Sequence, residues 1–101
     1  MKIVKINSLG CPSCIIMNKI INELKSEYKN IEFEDYDFDF DDIEKFNVGK
    51  ILPVFIFYKE DKEITRLCGE HKKEEFVKII EGVLWRKYWK YYYFYLYLFL
   101  V

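Results

Sequence analysis

Val54-Phe55-Ile56-Phe57-Tyr58 is a continuous apolar run rich in aromatic and β-branched residues, and it constrains the fold more than any other segment. A strand exposed to water on one side alternates apolar with polar; one without alternation needs cover on both faces of its sheet. The chain must therefore place other elements above and below this strand. Upstream, Lys2 to Asn7 carries Ile3, Val4 and Ile6 and reads as a strand, punctuated by Gly10-Cys11-Pro12. Pro12 suits the first position of a helix, where its missing N–H costs nothing. Met17, Ile20, Ile21, Leu24 and Tyr28 then recur at helical spacing over about four turns. Ile31 to Phe38 reads as a second strand, and two strands joined by one helix pair in parallel through a right-handed crossover. Asp41-Asp42 can cap a short helix through Phe46, ended by Asn47-Val48-Gly49. Beyond the apolar run, Lys59 to Lys62 is a polar turn, and Glu63 to Cys68 returns as the antiparallel partner. Phe76, Ile80, Val83 and Leu84 repeat at helical spacing, widened by Val77 and Ile79. The order β-α-β-α-β-β-α over 84 residues predicts an α/β fold: a mixed four-stranded sheet with helices on both faces.

The chain has 101 residues, enough for one core. Its 51% hydrophobic and 33% charged content is that of a globular protein. The 20% aromatic share is high, and half of those aromatics lie from Trp85 onward. Domain organisation follows from that shift: a folded domain over residues 1–84 and an aromatic tail over 85–101. Residues 1–84 carry 13 Lys and Arg against 17 Asp and Glu, and the tail adds Arg86, Lys87 and Lys90 with no acid. An acidic balance in the folded part argues against nucleic acid as a partner. Three cysteines are too few and too odd for a secreted disulfide scaffold, and the N-terminus has no apolar run of signal-peptide length. The expected compartment is the reducing cytoplasm, where a close cysteine pair points to redox or metal chemistry.

That pair is Cys11-Pro12-Ser13-Cys14, at the junction of the first strand and first helix. The first cysteine sits where a helix leaves N–H groups unpaired and its dipole end is positive, so the thiolate is favoured. Two intervening residues bring Cys14 back beneath Cys11, close enough to bridge. One sulfur can then attack a disulfide and the other resolve the mixed disulfide. Leu52-Pro53-Val54 is the second feature. Pro53 removes a ladder donor just before the buried strand, whose start the topology brings beside the Cys11–Cys14 turn. On the residues alone Pro53 begins the strand with a trans bond, the commoner form.

These pieces resemble the thioredoxin family: the CPSC turn after the first strand, Lys45-Phe46-Asn47-Val48 through Leu52-Pro53-Val54-Phe55-Ile56-Phe57, the Glu60–Glu63 turn, and Gly69 ahead of the last helix. The resemblance covers nearly all of residues 1–84. It implies a minimal thioredoxin-like thiol-disulfide oxidoreductase, without the extra N-terminal strand and helix of full-length thioredoxins. Cys11 would be the nucleophile, Cys14 the resolving thiol and Pro53 a cis-proline. Pro12, Ser13, Leu52 and Gly69 would line the substrate groove. A cis Leu52–Pro53 bond would leave the Leu52 backbone free to pair with an extended substrate and would keep metal from the thiols. The implied partners are disulfide-bearing protein substrates and a reductase or thiol donor of electrons, acting on a monomer with no cofactor. Three departures stand out. Gly10 replaces the Trp usual before the first cysteine, proline comes first between the cysteines as in glutaredoxins, and Lys5 and Asn7 occupy the strand where thioredoxins carry a buried Asp.

Two alternatives remain at the level of sequence. A glutaredoxin-like, glutathione-dependent reductase is weakened by Leu-Pro-Val in place of Thr-Val-Pro and by the lack of a glutathione clamp after Cys68. A non-enzymatic zinc or adaptor module would use Cys11, Cys14, Cys68 and His71 as a tetrahedral ligand set, although 53 residues separate its two halves. The acids from Glu32 to Glu44 alternate with Phe33, Phe38 and Phe40 and read as a solvated face that steers partners. In the tail, eleven uncharged residues follow the basic patch and span about 16 Å as a helix, half a bilayer. A transmembrane anchor is not expected. Contact with a membrane surface through Trp85, Trp89 and the cations is the competitor to a non-functional extension.

Overall fold

In a computed structural model of the protein, residues 1–83 are described. The chain divides into two units, residues 1–71 and a second beginning at Lys72. The expected 84/85 domain boundary and the tail lie outside the described residues.

The first unit is a four-stranded mixed sheet in the order β2-β1-β3-β4. Strand β1 (Lys2–Asn7) pairs in parallel with β2 (Glu32–Asp37), the crossover being α1 (Pro12–Glu27). It pairs antiparallel with β3 (Val54–Lys59), which pairs antiparallel with β4 (Lys62–Cys68). The apolar run is central: Val54, Phe55, Ile56 and Phe57 are all essentially inaccessible. Side chains alternate across a sheet, so Val4, Ile6, Val54 and Ile56 share one face, where they pack with Phe46 and against Tyr36, Ile43, Val48 and Leu52. Ile3, Lys5, Phe55 and Phe57 share the other. Helix α1 lies over that second face, since Lys5 reaches Asn18 on it, and it buries Cys14, Met17, Ile21 and Leu24 at the expected spacing.

The expected short helix before β3 is a 3-10 turn, Glu44–Phe46. Its N-cap is Ile43, without a side-chain cap, so neither Asp41 nor Asp42 takes the expected capping position. Asp42 accepts the Glu44 N–H from just outside it at 3.3 Å, and Asn47 ends the turn in the left-handed region at φ 51°. Arg66 on β4 donates to the Phe46 carbonyl at 2.9 Å, tying the turn to the sheet edge. The β3–β4 hairpin turns on Glu60 and Asp61, both at positive φ (53° and 63°). That pattern is the primed two-residue turn whose twist matches its strands.

In the second unit, residues 73–83 are helical, with Phe76, Ile80 and Val83 buried at i, i+4 and i+7. A reciprocal cap starts this helix: the Glu75 carboxylate accepts the Lys72 N–H at 3.0 Å, and the Lys72 carbonyl accepts the Glu75 N–H at 3.0 Å.

Candidate active site

The cysteine pair forms where β1 ends and α1 begins. Gly10 takes φ +77°, a conformation that a side chain would strain and that glycine adopts freely. Cys11 follows with extended backbone (φ −91°, ψ 106°) as the N-cap of α1. Its Sγ accepts the Cys14 N–H at 3.2 Å. The first sulfur thus occupies the position that Ser, Thr or Asp oxygens take in ordinary caps, receiving an N–H and the positive end of the helix dipole. Cys14 is buried at 4% exposure, with Cys11 half-buried. The two are joined in a disulfide with Cα atoms 5.3 Å apart.

The segment before β3 completes the site. The Leu52–Pro53 peptide is cis. The Pro53 carbonyl accepts the Gly69 N–H at 2.7 Å, which fixes the loop after β4 against the start of β3. Gly69 sits at φ +84°, where a side chain is strained, and a Cβ there would lie 3.3 Å from the Ile51 side chain, a tight approach that Ile51 would have to yield to. The next residue, Glu70, reaches the cysteine turn: Ser13 donates its hydroxyl to the Glu70 carboxylate at 2.8 Å. Cys11, Ser13, Pro53 and Gly69 are thereby linked through a chain of short contacts. On the opposite flank, Ser8 donates to Asp39 at 2.7 Å, and the Ser8 carbonyl accepts the Cys11 N–H at 3.4 Å. Leu9 and Ile51 stand exposed at the rim.

Glu70 and Asp39 are site residues that sequence reading missed. They lie 57 and 31 residues from the serines they hold, and only the folded chain joins them. Lys5 is the other surprise. Among the described residues it is the only charged side chain in the core. It donates to Asn18, one helical turn beyond Cys14, with Asp35 at 4.0 Å. Burial pulls its pKa below 10.5, partly offset by Asp35 and reinforced by Lys25.

The four-residue zinc set does not converge. Among the described residues no group of three or more His, Cys, Asp or Glu could hold a metal. Cys68 lies exposed on β4 opposite Val54, and the His71 ring nitrogen sits 2.9 Å from the Cys68 carbonyl. Nor is any described helix long and apolar enough to cross a membrane.

A disulfide at the strand-to-helix junction, backed by this proline and sheet order, invites comparison with known proteins. The family model Thioredoxin matches residues 2–82. The chain belongs to the thioredoxin family. A thioredoxin from Nicotiana alata is similar at 30% identity and a TM-score of 0.72, over 80% of this chain and 70% of that one. Fasciola hepatica thioredoxin aligns at 24% identity and a TM-score of 0.71, covering 79% of this chain and 78% of its own. A malaria-parasite thioredoxin-2, described as a component of protein secretion machinery, shows the same fold at 20% identity and a TM-score of 0.74, over 80% and 81%. No curated protein matches significantly.

Proposed function

We propose that the protein is a thiol-disulfide oxidoreductase that reduces disulfides of proteins or small molecules, working in the cytoplasm. The observation that carries this reading is the cap geometry. Cys11 Sγ receives the Cys14 N–H at the start of α1, an arrangement that favours a thiolate at Cys11 and keeps Cys14 directly behind it. In the reduced protein, the Cys11 thiolate attacks one sulfur of the substrate disulfide, and the other sulfur leaves as a thiolate that takes a proton. The Cys14 thiolate, having lost its proton to water, attacks the Cys11 sulfur. The intramolecular disulfide forms and the second substrate thiol departs. Two electrons pass to the substrate, and the dithiol becomes the Cys11–Cys14 disulfide. Leu52 and Pro53, with Pro12, Ser13 and Gly69, border the groove in which the substrate chain would lie, and exposed Leu9 and Ile51 give its apolar side chains a surface.

Insulin reduction tests the reading, first with thioredoxin reductase and NADPH as electron source and then with glutathione. The expected result is precipitation of the insulin B chain well above the rate without the protein, sustained by the reductase. Turnover supported by glutathione alone would shift the reading to the glutaredoxin-like class. No acceleration with either donor would overturn it.

A further inference from the structure

Two carboxylates grip the turn that carries Cys11, one on each flank. Glu70 accepts the hydroxyl of Ser13, which lies between the two cysteines. Asp39 accepts the hydroxyl of Ser8, whose carbonyl in turn holds the Cys11 N–H. Both acids are exposed at the surface, so each hydrogen bond fixes a negative charge on the turn that carries Cys11 without burying that charge. The loop bearing Glu70 is itself pinned, through Gly69 on the Pro53 carbonyl. The loop bearing Asp39 is closed by its own contacts, in which the Asp41 carboxylate accepts the Asp37 N–H and the Asp37 carboxylate accepts the Asp39 N–H. The site is therefore a redox-active disulfide framed by oriented anions, and since a negative charge disfavours a nearby thiolate, activation of Cys11 does not account for the frame.

We infer that Glu70 and Asp39 select the substrate by charge: the site takes disulfides flanked by positive charge, such as peptide segments with Lys or Arg beside the cystine, and disfavours anionic ones, glutathione disulfide included. This inference rests on the reductase reading above and deepens it by naming a substrate class. A disulfide docked on Cys11 lies over the turn that the two carboxylates hold through Ser13 and Ser8. In a solvent-exposed site, one unit charge changes the encounter by about threefold at low salt, and the effect fades as ions screen it.

The test uses the reduced full chain and three small disulfides of different charge: cystamine (cationic), bis(2-hydroxyethyl) disulfide (neutral) and glutathione disulfide (anionic). Each rate is divided by that of dithiothreitol with the same disulfide, which removes differences in intrinsic reactivity. The expected result is a cystamine-to-glutathione ratio above that of dithiothreitol, falling about ninefold in Glu70→Gln and again in Asp39→Asn, since each carboxylate favours the cation and disfavours the anion by about threefold, and collapsing at high salt in the unsubstituted protein. The neutral disulfide serves as reference within each variant. A ratio that neither substitution nor salt moves, with the neutral disulfide still reduced, overturns the charge selection and leaves the reductase reading standing. A reduced protein inert toward all three overturns both.

Discussion

Lys5 stands in the middle of β1 at 6% exposure, and its charge sits uneasily there. Burial lowers its pKa from 10.5, because the ammonium form loses hydration that Asn18 and Asp35 replace only in part. The unfolded chain therefore binds more protons than the folded one between the depressed value and 10.5. In that window stability rises with pH, and below it the cost of the charge is felt in full. Lys5→Met keeps the length of the side chain and removes the charge, while Asn18 and Asp35, both exposed, return to water. The expected outcome is a gain of about 1 kcal/mol near neutral pH, shrinking as pH climbs toward 10.5, read from thermal unfolding of both proteins across that range. A variant less stable at every pH would mean that the Asn18 and Asp35 contacts outweigh desolvation. Residue type in the sequence revealed none of this. A lysine inside a β-branched run reads as the solvent-facing member of the strand, and only the cover provided by α1 makes it a core residue.

The elements follow the hydrophobic pattern where one physical cause dominates. Unbroken apolarity at Val54–Phe57 is fully buried, and the Met17, Ile21, Leu24 stripe is the inner face of α1. Both could be read from the sequence because burial imposes the period directly. The segment before β3 could not be read so well. Its end at Asn47, in the left-handed region, is as expected, but the cap falls on Ile43 rather than on Asp41-Asp42, which leaves only a three-residue 3-10 turn. The Cys11–Cys14 turn stands out from residue type and position, Pro53 and Gly69 gain their roles only through the family resemblance, and Glu70 and Asp39 carry no signal, since exposed acids have no pattern until the serines they meet are placed. The β3–β4 hairpin gives a test at this scale. Glu60 and Asp61 both hold positive φ, where Asn-Gly is the favoured pair. Replacing them together, Glu60→Asn with Asp61→Gly, is expected to stabilise the protein by about 1 kcal/mol, seen as a higher urea midpoint with an unchanged slope. An unchanged midpoint would mean that the strands alone fix the turn at no cost.

At the scale of the whole molecule, composition separates residues 1–84, acidic and patterned for a core, from a tail that holds half the aromatics and no acid. The chemistry proposed here uses nothing beyond Glu70. A chain truncated after Leu84 is expected to stay folded, to be more soluble than the full chain and to keep its insulin-reductase rate. Unfolding of the truncated chain, followed by circular dichroism, would show instead that the tail contributes to the core. Flotation of only the full chain with anionic liposomes would assign the tail to a membrane surface. The central claim is the division of labour between the two cysteines, and trapping of mixed disulfides tests it most directly. Cys14→Ser, reduced and then mixed with insulin, is predicted to accumulate a covalent complex through Cys11 that dithiothreitol releases, because attack proceeds and resolution cannot. Cys11→Ser is predicted to accumulate none. A complex formed by Cys11→Ser and absent from Cys14→Ser would contradict the account and reverse the two roles.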